Sequence, residues 1–453
     1  MRMSGSLVRW AVFPVVLISA TAVTLLPSPM PVLLSIGVAL VLVMLVIPMN
    51  ALLALWGATL PIWSVAGVDP IVFDGVRLLG AIVIAVRNPA QEDPLWGRAV
   101  SRWAVPVIVV ALATGSMGFV RSDASAVSVG FTMLFAAVLS ALAVSRLRTV
   151  TPLLLGFALG VALSGFVILL AAVGIPTISP LEDLGVARVT GLAPSATRVA
   201  TELAVAVVVF GSYVQRHRII LPMAGALLCF VALLISGGRV GVVGLMLAIV
   251  VALFKRWIPP AFVLAALLLL LTIFSQMPQY GVELHTVNRL TSFSDQAGGS
   301  DFSSGRVDLF VASLDQTLRH PLVGSGLDVF VERYGHSPHV TPLLFSVAGG
   351  LVVGVIVLIL GLRMLWILRR RVISPGPEIK AASLGIVVLF STILLQPTGP
   401  FVGVESITML FVFAALVQCE SGLAGRGGEN HVLSRRPRDA VRLISTTTTT
   451  SRR

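Results

Sequence analysis

Charge is scarce in this chain: only 11% of its 453 residues are Asp, Glu, Lys or Arg, where soluble globular domains carry about a quarter. Lysine is almost missing, with Lys255 and Lys380 alone, so arginine supplies nearly all of the +12 net charge. There are two cysteines, Cys229 and Cys419, both inside apolar segments. That pattern excludes a disulfide framework and a cysteine zinc site. No phosphate-binding glycine loop, no carboxylate metal cluster and no clear internal repeat stand out. The first apolar run follows Arg2 and Arg9 but precedes no small-residue cleavage site, so it reads as a retained span and not a removed signal peptide.

What the chain has in abundance is apolar sequence, 57% of all residues. Runs of about 20 apolar residues, each long enough to cross a bilayer, recur along its length. The expected fold is an all-α polytopic transmembrane bundle of 12–14 spans. The fullest reading places them at 7–26, 31–48, 50–67, 70–87, 102–120, 125–145, 149–173, 196–214, 219–237, 239–254, 257–276, 340–365, 380–396 and 400–418. In a soluble chain a net charge of +12 would suit nucleic acid. Here the basic residues fall in alternate connections: Arg87, Arg98 and Arg102; Arg146 and Arg148; Arg216 and Arg218; Lys255 and Arg256; Arg363, Arg369, Arg370 and Arg371. These belong on the cytoplasmic side together with both termini, with membrane lipids as partners and no nucleic acid. The expected organisation is a bundle over 1–276, an extracytoplasmic loop over 277–339, C-terminal spans over 340–420 and a disordered basic tail over 421–453.

The external loop carries the candidate chemistry. His285, His320, His336 and His339 lie in it or at its edge, four of the six histidines. Within it, SSGRVDLFVASLDQTLRHPLVGSG reads as one amphipathic helix and a stop. Ser303 or Ser304 can cap its start. Val307, Phe310, Val311, Leu314 and Leu318 form an apolar stripe, Asp308, Asp315 and Arg319 fall on another face, and Pro321, Gly324 and Gly326 end it. Such a helix lies on the membrane surface or on the bundle.

Arginine is also present at outer span ends, where the positive-inside bias should deplete it. Arg239 sits at the turn of a hairpin in ISGGRVGVVGLM. Arg77 follows Asp74 by three residues and Arg198 precedes Glu202 by four, spacings that also allow simple self-neutralised pairs. A set of guanidiniums at one face suits a multiply charged phosphate headgroup, and a lipid-linked diphosphate is the natural ligand for such a membrane site. His336 and His339, in RYGHSPHVTPLL, are candidate general bases. Pro338 between them and the want of a third ligand argue against a metal pair.

GGRVGVVGL, the loop segment SSGRVDLFVASLDQTLRHPLVGSGLDVF and HSPHVTPLLFSVAGGLVVG together resemble the C-terminal region of the O-antigen ligase and polymerase superfamily. The resemblance spans roughly residues 190–355. Arg239 matches that family's first arginine, with Gly238 in place of serine. Arg306 matches the second, and Pro321, Gly324 and Gly326 match its turn. His339 matches the family histidine, with Val340 where asparagine is usual and Ala348 where glutamate is often found. The resemblance implies metal-independent glycosyl transfer without a cofactor. A glycan would pass from a polyprenyl-diphosphate carrier to a glycan or lipid acceptor hydroxyl at the external face of a bacterial cytoplasmic membrane. Arg239 and Arg306, with Arg198 and Arg77, would hold the diphosphate, and His339 or His336 would act as base. A polymerase of the same superfamily, or a lipid-linked glycan flippase or transporter, are the competing readings.

Overall fold

A computed structural model describes residues 43–63, 70–88, 94–173, 175, 181–183, 187–193, 195–214, 220–258, 306–369, 376–396 and 401–433. The expected span 7–26, residues 31–42 of the next, residues 259–276 of the expected span 257–276, residues 277–305 of the expected external loop with His285, Ser303 and Ser304, and residues 434–453 lie outside them.

The described chain is helical apart from one short antiparallel ribbon. In order it forms α1 (Met49–Thr59), α2 (Pro70–Arg87), α3 (Pro94–Arg121), α4 (Ala124–Val144), α5 (Thr151–Ala172), β1 (Leu181–Asp183), β2 (Ala187–Val189), α6 (Ala196–Tyr213), α7 (Ile220–Ile235) and α8 (Arg239–Phe254). Then come α9 (Arg306–Arg319), α10 (Leu327–Tyr334), α11 (Thr341–Gly349), α12 (Leu351–Leu368), α13 (Pro377–Leu395) and α14 (Val404–Leu433). Six helices among the described residues, α3, α4, α5, α6, α12 and α13, are long and apolar enough to cross a membrane. The chain is an integral membrane protein. Side chains that would be misplaced in water, such as Phe119, Phe131 and Val352, point outward, as lipid-facing residues do.

In lipid no hydrophobic force drives helix to helix, so close packing must do it, and small residues permit that. Gly156 and Gly160 of α5 lie against the backbone of Ala54 and Ala58 of α1 with no room for a Cβ. The glycines of GGRVGVVGL do the same for α8. Gly238 and Gly241 sit on Ala196 and Ala200 of α6, and a Cβ at Gly244 would stand 2.6 Å from the Ser391 hydroxyl of α13. The glycine spacing of that motif is therefore a packing rail that fixes the start of α8 against the start of α6.

Two elements differ from the sequence reading. The expected single span over 340–365 is two helices. Gly350, at φ +94°, ends α11 and starts α12. Alpha11 folds back across α12, where Gly354 leaves space for Ser346 and for the Pro342 carbonyl oxygen, 2.6 Å from where a Cβ would be. A left-handed backbone at that break and a missing Cβ at the crossing are what only glycine supplies. The second difference is in the tail: α14 continues as helix through 421–433, where an irregular chain was expected.

Candidate functional site

Two of the four arginines expected at outer span ends meet over one indole. The Arg198 guanidinium lies 4.9 Å from the Trp63 ring centroid and that of Arg77 lies 5.6 Å from it. The loop carrying Trp63 is held by the Trp63 backbone N–H, which donates to the Leu192 carbonyl just before α6 at 2.8 Å. The two arginines are otherwise unlike. Arg77 is 1% exposed. Its Nε donates to the Thr59 carbonyl at 3.4 Å, its Nη2 to Leu60 and Ile62 at 2.8 and 2.7 Å, and its Nη1 to Asp74 Oδ1 at 2.8 Å. A guanidinium has five N–H groups, so the C-terminal end of α1 and Asp74 take up most of this one. Arg198 is 20% exposed. Its Nη2 pairs with Glu405 at the start of α14, and its Nε stands 3.9 Å from Glu202 Oε1. Glu202 is 4% exposed, and among the described residues neither of its oxygens has a hydrogen bond. Gly403, at φ +106°, leaves room for the Arg198 guanidinium, which a Cβ there would strike.

The arginine positions share a feature that residue spacing did not show. Arg198 is in the first turn of α6, whose Ser195 cap accepts from the Arg198 N–H. Arg239 is the first residue of α8 and is half-buried, and Arg306 is the first residue of α9. Each therefore stands in the first turn of a helix, at the positive end of its dipole. Arg77, in the body of α2, does not.

The described part of the expected external loop, 306–339, is fastened at two points. Alpha9 ends in the turn over Pro321–Gly326, with Gly324 at φ +74° and Gly326 at φ +94°, where the sequence placed its stop. The Leu351 N–H donates to the Pro321 carbonyl at 2.8 Å and the Gly326 N–H to Val347 at 3.0 Å, which fastens this turn to the α11–α12 break. Alpha9 also packs on α11. The fastened ends are the C-terminal ones, so Arg306 on α9 and His339 before α11 stand at the opposite, N-terminal ends. Asp123 makes a second fastening. It caps α4 by accepting from the Ala126 N–H at 2.9 Å, and it also accepts from the N–H groups of Leu327 and, at 3.4 Å, Asp328. Asp328 answers by accepting from the Ser125 N–H at 3.3 Å. Hydrogen bonds from Ser125 hold the Asp328 carboxyl below the usual carboxylate range. Each aspartate thus serves the first turn of the other's helix.

His336 is exposed, just past the left-handed Gly335 cap of α10. His339 is half-buried and immediately precedes Val340, the N-cap of α11. One residue ties this segment to the arginines. Thr341 donates to the Gln396 carbonyl at 2.8 Å, and Gln396 Nε2 donates to the Thr197 carbonyl at 3.1 Å and to the Thr201 hydroxyl at 2.8 Å. The His339 segment is therefore linked through Gln396 to the turn of α6 that bears Arg198, and Gly238, beside Arg239, rests on that same turn. Among the described residues no three His, Cys, Asp or Glu side chains gather as a metal-ligand set.

Residue reading missed Trp63, Gln396, Glu405 and Asp123 as partners. The polar Gln396 at the end of an apolar span and Glu405 at the start of the next were signals, because ionisable or amide groups at such positions are costly unless satisfied. Nothing local named what satisfies them.

Residues 224–353 match the family model described as O-Antigen ligase. The match takes in Arg239, Arg306, His336, His339 and the Pro321–Gly326 turn, and leaves Arg77 and Arg198 outside it. It supports an assignment of this region to the O-antigen ligase superfamily. No curated protein matches it.

Proposed function

We propose that this chain, with its O-antigen ligase region over 224–353, is a membrane glycosyltransferase of cell-envelope polysaccharide synthesis. It moves a glycan from a polyprenyl-diphosphate carrier to an acceptor hydroxyl at the external face of the cytoplasmic membrane. The acceptor oxygen attacks the anomeric carbon, the bond from that carbon to the diphosphate breaks, and the carrier diphosphate leaves with the electron pair. Arg239 and Arg306, each opening a helix, stabilise the charge that develops on the leaving group. Arg198 joins them from the first turn of α6. Arg77 acts through Arg198 by holding the Trp63 loop, since its own N–H groups are largely taken by backbone carbonyls. The hydroxyl proton goes to His339. That residue outranks His336 because it stands at the start of α11, on the segment tied through Gln396 to the α6 turn. The carrying observation is this assembly of the α6, α8 and α11 starts around one polar end of the bundle, with Arg239 and His339 inside the matched region.

The test is transfer by the purified protein in liposomes that contain a polyprenyl-diphosphate glycan. Arg239→Ala and Arg306→Ala should each lower the rate about 100- to 1,000-fold. His339→Ala should lower it by a similar order, and each variant should still insert. A chelator should leave the wild-type rate unchanged. Wild-type turnover in all three variants would overturn the assignment. Lipid translocation without glycosidic bond formation would make the protein a transporter. The product decides between ligase and polymerase: a single addition to a terminal acceptor, or a ladder of repeats.

A further inference from the structure

Alpha9 has three faces, and their arrangement is inverted relative to a helix packed on a soluble core. The side turned into the protein is mainly small or polar: Ser313 and Thr317 are buried, Gln316 reaches the Tyr334 hydroxyl at 3.5 Å, and Leu309 is its one large apolar member. The opposite side is the apolar stripe. Val307, Phe310, Val311, Leu314 and Leu318 are all exposed, Leu318 by 63%. At 100° per residue the stripe centres about 100° from Asp308, Asp315 and Arg319, which form a separate charged strip. Asp315 and Arg319 pair there at 2.9 Å.

A helix with protein behind it, apolar side chains in front and charges along one edge fits one setting. The apolar front lies in the acyl boundary of a bilayer and the charged edge lies in the headgroup water. Alpha9 cannot itself span: its 14 residues reach about 21 Å, against about 30 Å of hydrocarbon. Continuity names the occupant. The stripe runs on through Leu322, 79% exposed, whose carbonyl lies against Gly350. Directly beyond, the spanning helix α12 begins its own outward row of Val352, Val355, Ile359, Leu362 and Trp366, at helical spacing. The apolar surface of α9 is thus continuous with the lipid-facing surface of a membrane span.

We propose that α9 is an interfacial membrane helix whose apolar stripe is seated in bilayer lipid, so that its first turn, with Arg306, is held at headgroup depth. The depth of that turn is then set by the bilayer as well as by the bundle.

The experiment places single spin labels by Phe310→Cys, Leu314→Cys, Leu318→Cys, Asp308→Cys and Asp315→Cys in the full chain in nanodiscs, with Cys229 and Cys419 replaced by alanine. Collision with oxygen, which concentrates in lipid, is compared with collision with a water-soluble nickel chelate. At 310, 314 and 318 the oxygen-to-nickel ratio should be at least about threefold that at 308 and 315. Equal nickel access at all five positions places the stripe in water and overturns the proposal. Exclusion of both reagents from 310, 314 and 318 means that protein covers the stripe, whether residues 259–305 or a second copy, and overturns it too. Should the cysteine-free background fail to fold, Leu314→Trp on the native chain gives a second measurement. Lipids brominated near the headgroup should quench the added fluorescence, and no added quenching relative to wild type refutes lipid contact.

Discussion

Gln396→Ala tests whether the His339 segment and the arginine turn act as one unit. Gln396 is 8% exposed, and its amide donates to Thr197 and Thr201 at 3.1 and 2.8 Å. Truncation removes both bonds, each contributing about 0.5–1.5 kcal/mol, so about 1–3 kcal/mol in all. Thr201 still donates to the Thr197 carbonyl at 3.2 Å, which keeps the cost toward the lower end. Alpha6 and α13 remain packed through their apolar faces, so the protein should insert and survive solubilisation. The larger effect is on geometry, since a shift of about 1 Å between reacting groups costs roughly 100-fold in rate. We expect turnover to fall about 10- to 100-fold with little change in KM for the lipid-linked donor. Thr341→Val removes the other half of the link, a 2.8 Å bond from a fully buried hydroxyl, at nearly constant volume. If both side chains work through one connection, the double variant loses little beyond the worse single variant. Wild-type turnover in Gln396→Ala, or losses that multiply in the double variant, refutes the link.

Asp123→Ala takes the side-chain acceptor from Ala126 in α4, which keeps only Asp328 on Ser125, and from Leu327 and Asp328 in α10, each cap being worth about 1 kcal/mol. Amide exchange at Leu327 and Asp328 should therefore accelerate about fivefold while the spanning helices stay protected, as hydrogen-exchange mass spectrometry can read. The Asp328 carboxyl sits below the ordinary carboxylate range because Ser125 hydrogen-bonds to it. A depressed folded value means that its contribution is fully present above the unfolded carboxylate pKa and is lost as pH falls through the folded one. Loosening of the α10 fastening on acidification should thus require strongly acid pH and vanish in Asp328→Asn, followed by protease sensitivity at 327–334. Gly354→Val would drive side-chain atoms into Ser346 and the Pro342 carbonyl. It should cost about 1–3 kcal/mol by overpacking and lower the midpoint of thermal unfolding in detergent, whereas Gly75→Ala, in open space on α2, should not.

Much of the frame was readable one residue at a time. Alpha8 begins at Arg239 and ends at Phe254 as the apolar run suggested, because Gly238 precedes it and Lys255 follows. Alpha9 and its glycine stop were equally plain. The pairs Arg77–Asp74 and Arg198–Glu202 were visible as spacings, yet spacing could not tell a guanidinium spent on backbone carbonyls from one with a partly open face. Arg198 meets Glu405 across 207 positions, and no local pattern encodes such a partner. The apolar stripe of α9 was legible as a stripe, and the structure turned it outward. The break at Gly350 was hidden because two glycines in an apolar run look like an ordinary flexible point of one span.

Sequence alone determined that this chain lives in a membrane and, for elements such as α8 and α9, where a helix begins and stops, since composition and period are local properties. Tertiary structure decided which arginine is spent, which helix face meets protein, and which distant amide joins the histidine segment to the arginine turn. The physical reason lies in the solvent. Lipid and protein interior are almost equally apolar, so a hydrophobic residue in a membrane chain does not declare whether it faces one or the other.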